Sequence, residues 1–249
     1  KCIAEWIIDG EPSIDVWAMD VARFGDYASP QYGTIKSSEN YERRFIMTFP
    51  NETLPKGRKQ KTTALYDRFV NQGAVMGDSF GLENVLWFAN NKEDAHEEPT
   101  IKRSRSHDYV SKEVINVREN VGLIEVANFS KHEFKGPDAR KFLDHVMAGR
   151  LPKPGRISLS PMLSYRGKLC GDLTVACLDE NEFIVFGSGA AQEMHRRWFE
   201  SHLDKFNLSY SNRSDEYHGL SIAGPNSRKV LEKIVRDDVS NEKFKFRDS

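Results

Sequence analysis

Apolar residues fall at helical spacing most sharply between positions 139 and 147. Ala139, Phe142, Leu143, Val146 and Met147 follow one another at intervals of three, one, three and one, which sets them on one face of an α-helix. Gly136-Pro137-Asp138 opens that helix, with Pro137 in the first turn where a missing N–H is tolerated, and Gly149 ends it. A helix is also predicted from Asp108 through Val110, Val114, Val117 and Val121, with strand-like runs at 122–129 and 131–135 after it. Strand patterns at 157–163 and 168–178 are joined by Ser164-Tyr165-Arg166-Gly167, a hairpin signal. Asp179-Glu180-Asn181-Glu182 turns the chain into a third strand at 183–187, and Gly187-Ser188-Gly189 leads into a long helix over 190–206. Strands at 208–211 and 219–223 follow, then a helix at 226–236 behind Pro225 and a capping Asn226. Strands and helices in this order predict an α+β fold of two layers, mostly antiparallel sheets with helices.

The first hundred residues are less periodic. Residues 2–9 predict a helix with Ile3, Trp6 and Ile7 on one side, broken by Asp9-Gly10-Glu11-Pro12. Residues 13–62 scatter aromatics such as Trp17, Phe24, Tyr27 and Tyr32 through polar sequence, an irregular α+β region with a basic loop at Lys56-Gly57-Arg58-Lys59-Gln60-Lys61. Thr62 or Thr63 can cap a helix through Leu65, Tyr66, Phe69 and Val70 that Gly73 ends. Residues 75–88 are apolar with two glycines and predict a turn-rich buried segment. The mixed charges of 89–107 predict a solvated loop rather than an anion site.

The 249 residues suggest one or two domains, at roughly 150 residues each. The 36 Lys and Arg nearly cancel the 37 Asp and Glu, so the chain lacks the basic excess of a dedicated nucleic-acid binder. No apolar run approaches the roughly 18 residues of a membrane span, and no basic-then-apolar leader opens the chain. Cys170 and Cys177 are an odd number of residues apart in one predicted strand and so face opposite ways. Three unpaired cysteines suit a reducing compartment: the cytoplasm, or the mitochondrial matrix in a eukaryote. The histidines offer no metal-binding spacing, and His195 and His202 are expected along a wet helical stripe. The chain starts at Lys1 with a helical pattern under way and ends on Phe244-Lys245-Phe246-Arg247-Asp248-Ser249, so both ends read as cuts through structure.

No G-x-G-x-x-G, Walker, G-x-S-x-G or H-E-x-x-H motif is present. Two positions carry candidate chemistry. Asp172 interrupts the apolar strand Leu169-Cys170-Gly171-Asp172-Leu173-Thr174-Val175, where a carboxylate is costly unless it is paired, wet or facing a cavity. Alternation sets it with Cys170 and Thr174, away from Leu173 and Val175. Gly187-Ser188-Gly189 stands at a strand-to-helix junction, either a ligand-approach point or a tight turn.

Three blocks add a family resemblance: VGLIEVANFSKHEFKGPDARKFLDHV, SPMLSYRGKLCGDLTVACLDENEFIVFGSGAAQEMHRRWF and HGLSIAGPNSRKVLEKI. Together they resemble the tetrahydrofolate-binding aminomethyltransferase fold of the glycine-cleavage T-protein, present here in its N-terminal part, over 106–249. AEWIIDGEPSIDVWAMDVARFG resembles the segment closing the FAD domain of the dimethylglycine/sarcosine dehydrogenase family, whose C-terminal tail is assigned to 1–20, and MGDSFGLENVLWFA resembles that family's central linking region, assigned to 21–105. The resemblance implies an internal part of an FAD-dependent N-methyl amine dehydrogenase that passes the product iminium to tetrahydrofolate, with the FAD site upstream and inactivity of this part by itself. The alternatives are a T-protein-like aminomethyltransferase and a non-catalytic folate-binding module. The family's folate-site aspartate falls on Asp172, which would orient folate and assist proton movement. The T-protein asparagine after the third strand falls on Ser188, which keeps a hydroxyl and loses the amide. Gly171 replaces the acid that often precedes the aspartate in T-proteins, a departure shared with the flavin family. Met162 and Tyr165, leading to Asp172, are expected to line the pterin. The implied partners are a methylated amine and folate.

Overall fold

The computed structural model describes residues 1–50 and 52–249. Helix α1 (Cys2–Asp9) forms where its apolar spacing predicts and ends at Gly10 in a left-handed cap. Two short 3-10 turns, Trp17–Met19 and Val21–Phe24, precede α2 (Pro30–Glu42). This helix lacks an apolar stripe, but its entry is well specified: the Ser29 hydroxyl accepts the Tyr32 N–H and Pro30 occupies the first turn. After α3 (Tyr66–Asn71), the turn-rich segment expected at 75–88 is a hairpin of β1 (Ala74–Ser79) and β2 (Leu82–Phe88). Its two-residue turn places Phe80 at φ 51° and Gly81 at φ 80°, a conformation that glycine takes easily and phenylalanine rarely.

Helix α4 (Ser106–Glu119) leads to β3 (Gly122–Glu125), β4 (Ser130–Lys135) and α5 (Ala139–Val146). Pro137 lies in the turn before α5 rather than inside it. Next come β5 (Arg156–Leu163), β6 (Leu169–Asp179), β7 (Glu182–Gly187), α6 (Gln192–Glu200), β8 (Ser209–Asn212), β9 (Leu220–Ala223) and α7 (Ser227–Leu231). The helix expected over 190–206 is shorter than its pattern. The Ser201 hydroxyl and the His202 ring both donate to the Trp198 carbonyl, at 2.8 and 2.7 Å, and such side-chain bonds compete with the helix's own ladder.

The central sheet runs β5-β6-β7-β4-β8, every neighbouring pair antiparallel, while β3 pairs with β9 in a small sheet of its own. One face of the central sheet is apolar. Phe134, Met162, Leu173, Val175, Cys177, Phe183 and Val185 point into it, and α5 and α6 cover it with Ala139, Phe142, Leu143, Val146 and Phe199. All three cysteines are free thiols, and a bulge opposite Met162 and Leu163 breaks the expected alternation, so that Cys170 packs against the same core as Cys177. The opposite face is open over β5 and β6, where Leu159, Leu163 and Leu178 are exposed. The result is the expected two-layer α+β architecture with antiparallel sheets.

Phe142 is fully buried and stacks on Phe134 at 5.3 Å between ring centres. Its replacement by Ala is expected to destabilise the fold by about 3–5 kcal/mol, through lost transfer energy and an unfilled cavity. Urea unfolding of the Phe142→Ala protein checks this, and a loss under 1 kcal/mol would contradict the packing described.

Candidate functional site

Alternation along β6 decides where Asp172 points. Leu173, Val175 and Cys177 are fully buried, so Asp172 faces the uncovered side of the sheet and is exposed. Pro161 of β5 lies opposite it. On the other flank Thr174 pairs with Phe186 of β7, and continuing that antiparallel register by two residues sets Ser188 beside Asp172. Both side chains are exposed. Asp172 makes no hydrogen bond or ion pair among the described residues, so its carboxylate is available to an N–H donor.

The other two expected ligand contacts lie elsewhere. Met162 is fully buried, paired with Gly171 and packed in the core. Tyr165, at the β5–β6 hairpin tip, leans toward the helix layer: its hydroxyl donates to His202 Nε2 at 2.8 Å and its ring lies 5.2 Å from that of Trp198. The direction of that bond follows from His202 Nδ1, which donates to the Trp198 carbonyl and leaves Nε2 as acceptor. The structure thus groups Asp172 with Ser188 and separates both from Met162 and Tyr165.

His195 corrects an expectation. It is 2% exposed, on the inner side of α6 with Phe199, and not on a wet stripe. The signal was present: positions 195 and 199 are four apart, so the histidine shares the buried phenylalanine's face. Its ring centre lies 6.3 Å from that of His132, which is fully buried and bonds the Tyr210 hydroxyl at 2.9 Å. Burial, with smaller contributions from nearby His195 and Arg196, holds His132 down at about 3. Burial also lowers His195, against a smaller opposing effect of the Cys170 backbone. Both imidazoles are therefore neutral at physiological pH.

A cavity of about 540 Å3 opens beyond Gly189. Arg23, Phe24, Tyr27, Gln192, Glu193 and Arg196 are among its walls, and none of the four expected ligand residues reaches it. Most of its cations have partners: Lys61 meets Asp215 at 3.3 Å, and Arg196 meets Glu193 at 2.7 Å and Glu200 at 3.2 Å. Arg23 lies 4.0 Å over the Phe24 ring and donates to the Asp20 carbonyl. The cavity was not legible in the sequence because its walls come from segments far apart in the chain. Within 89–107, Arg105 bridges Asp94 and Glu98 at 3.1 and 3.0 Å. Among the described residues, no group of three or more metal-ligating side chains occurs and no helix is long and apolar enough to cross a membrane.

Residues 65–249 match the family described as the GCVT N-terminal domain, about three quarters of the chain, and residues 9–63 match the FAD dependent oxidoreductase central domain. The chain belongs to the GCVT N-terminal domain family. It is 33% identical over 250 residues to mitochondrial dimethylglycine dehydrogenase of Mus musculus, a match covering 99% of this chain and 28% of that protein. It is 26% identical over 291 residues to mitochondrial sarcosine dehydrogenase of Homo sapiens, covering 98% of this chain and 31% of that one. It therefore spans less than a third of these relatives' length. In fold it is similar to aminomethyltransferase T of the glycine cleavage system of Bartonella henselae, with a TM-score of 0.58 at 22% identity over 70% of this chain and 43% of that one. Asp172, Ser188 and His195 all lie in the GCVT region. The cavity takes Arg23, Phe24 and Tyr27 from the oxidoreductase central region and Gln192, Glu193 and Arg196 from the GCVT region.

The two buried histidines make the GCVT region acid-sensitive. In the folded chain His132 stays neutral down to about pH 3, whereas in the unfolded chain it takes a proton near pH 6.5. The unfolded state binds more protons between these values, so stability present above pH 6.5 is lost as pH falls, by about 1.4 kcal/mol per pH unit for this one group. Urea midpoints from pH 7.5 to pH 4.5 should fall with this slope, and a His132→Phe protein should show a shallower one. Equal slopes would refute the assignment.

Proposed function

We propose that this chain forms part of a flavin-dependent dehydrogenase of dimethylglycine or sarcosine type that passes a one-carbon unit to tetrahydrofolate. The observation carrying the proposal is the 33% identity to a dimethylglycine dehydrogenase across 99% of the chain, spanning both matched regions. The substrate is then a small methylated amine, and the compartment in a eukaryote is the mitochondrion, as the relatives' names give it, with the matrix as the location within it.

The folate side fits the residues present. A pterin presents N–H donors, and Asp172 offers an accessible carboxylate with Ser188 beside it as a hydroxyl donor or acceptor. Tetrahydrofolate, when bound, supplies the amine nitrogens that take up the one-carbon unit. With folate bound, Asp172 would accept a hydrogen bond from a ring N–H and so orient the ring, and its carboxylate would be the acceptor for a proton given up there. Strand β6 holds Asp172 in place because neighbouring Leu173 is anchored in the core. The residues present do not fit FAD: the sequence holds no G-x-G-x-x-G turn between a strand and a helix, so no step is assigned to flavin here and its site belongs to other parts of the whole protein.

In the full-length protein, Asp172→Ala is expected to reduce folate-coupled methylene product at least about tenfold while amine oxidation continues with an artificial electron acceptor. Parallel loss of both activities, or loss of neither, would contradict the role given to Asp172.

A further inference from the structure

A buried histidine stands behind both strand segments that carry Asp172 and Ser188. A methyl group on Gly171 would stand 2.8 Å from His195 Nε2 and 3.3 Å from Leu173 Cδ1, and one on Gly187 would stand 2.5 Å from Leu173 Cδ2, 2.9 Å from His195 Nδ1 and 3.0 Å from Ser130 Oγ. Each of these glycines immediately precedes a candidate site residue. Their lack of side chains leaves room for the imidazole, beside the Leu173 side chain, against two adjacent strands and behind the peptides that lead into Asp172 and Ser188. The histidine itself is delivered by α6, whose Phe199 locks the helix to the core four residues further on.

An apolar side chain would fill this space more cheaply, since a buried polar ring is penalised unless its nitrogens find partners. Neither nitrogen of His195 completes a well-formed hydrogen bond among the described residues, and neither His132 Nε2 nor Ser130 Oγ does. All of these groups are at most 2% exposed. What backs the site is close packing: the imidazole fills the space against both glycines, and side chains packed this tightly hold presented groups to the tolerance that binding requires.

We infer that His195 is a positioning residue for the folate-side site, its imidazole fixing the backbone of Gly171-Asp172 and Gly187-Ser188 from behind. This rests on the reading of Asp172 given above. His195 touches no ligand and acts only through the two strand ends.

The test uses the full-length, flavin-bearing protein with Gly171→Ala, His195→Ala, His195→Asn and the Gly171→Ala/His195→Ala double variant. Each alanine single is expected to raise the KM for tetrahydrofolate about tenfold while kcat changes less than about twofold, the signature of disturbed binding without lost chemistry. The double variant should lose less than the product of the two singles, because the methyl on Gly171 enters space the imidazole vacates. His195→Asn, which restores a neutral polar group, should recover part of the folate affinity and covers the case in which His195→Ala fails to fold. Hydrogen exchange of peptides spanning 169–175 and 184–190 should rise in each alanine single and less in the double.

Singles with unchanged folate KM, losses that simply multiply, or faster exchange without a KM effect would each overturn the inference. Asp172→Ala, measured in parallel, separates the two claims. If it leaves the folate KM and folate-coupled product unchanged, the folate reading fails, while the exchange coupling between positions 171 and 195 still reports whether the imidazole backs these strands.

Discussion

The apolar face of the central sheet must be kept dry, and most of the architecture follows from that constraint. Five antiparallel strands present Phe134, Phe183, Val185, Leu173, Val175 and Met162 to one side. Helices α5 and α6 cover it, joined by Leu151, Leu203, Phe206 and Leu208, and Phe142 and Phe199 interlock with Phe134 at ring separations near 5 Å. A slip of one residue in β6 would turn Leu173 and Val175 to solvent and Asp172 into the core. The register is therefore enforced by burial, and the outward direction of the carboxylate is a by-product of the same packing.

The first seventy residues are attached to this core by polar links. The Trp17 ring donates to the Ala190 carbonyl, Arg166 meets Glu11 and the Asp9 carbonyl, and Lys61 meets Asp215. Exposed pairs of this kind contribute about 0–1 kcal/mol each. The link between Arg58 and Glu83 is different in kind, because Glu83 is almost fully buried against the β1–β2 hairpin. Removing Arg58 would strand a carboxylate away from water, so this pair fixes how the basic loop sits on the hairpin.

Sequence patterns revealed most of the GCVT region and less of the rest, for physical reasons visible at single positions. Helix α5 was legible because all five residues of its stripe are buried. Helix α2 was not, because it is anchored by a buried Glu39 that bonds the Lys36 ammonium and the Lys56 N–H, so no apolar period marks it. The β1–β2 hairpin escaped notice because Phe80 holds a turn position usually given to Asn or Gly. At the site, alternation foretold the face of Asp172, and neighbouring strands brought Ser188 to it. Met162 and Tyr165 were near in sequence but turned inward or toward the helices, since proximity along a strand carries no information about which side of the sheet a residue occupies.

The cavity beyond Gly189 has walls drawn from both matched regions, which join along the chain between its wall residues Lys61 and Phe80. Its shape is therefore a gauge of alignment. A small rotation of the oxidoreductase central region against the GCVT region would move Phe24 and Tyr27 relative to Gln192 and Glu193 and widen or pinch the space between them, while the dry core behind β6 and β7 would register nothing.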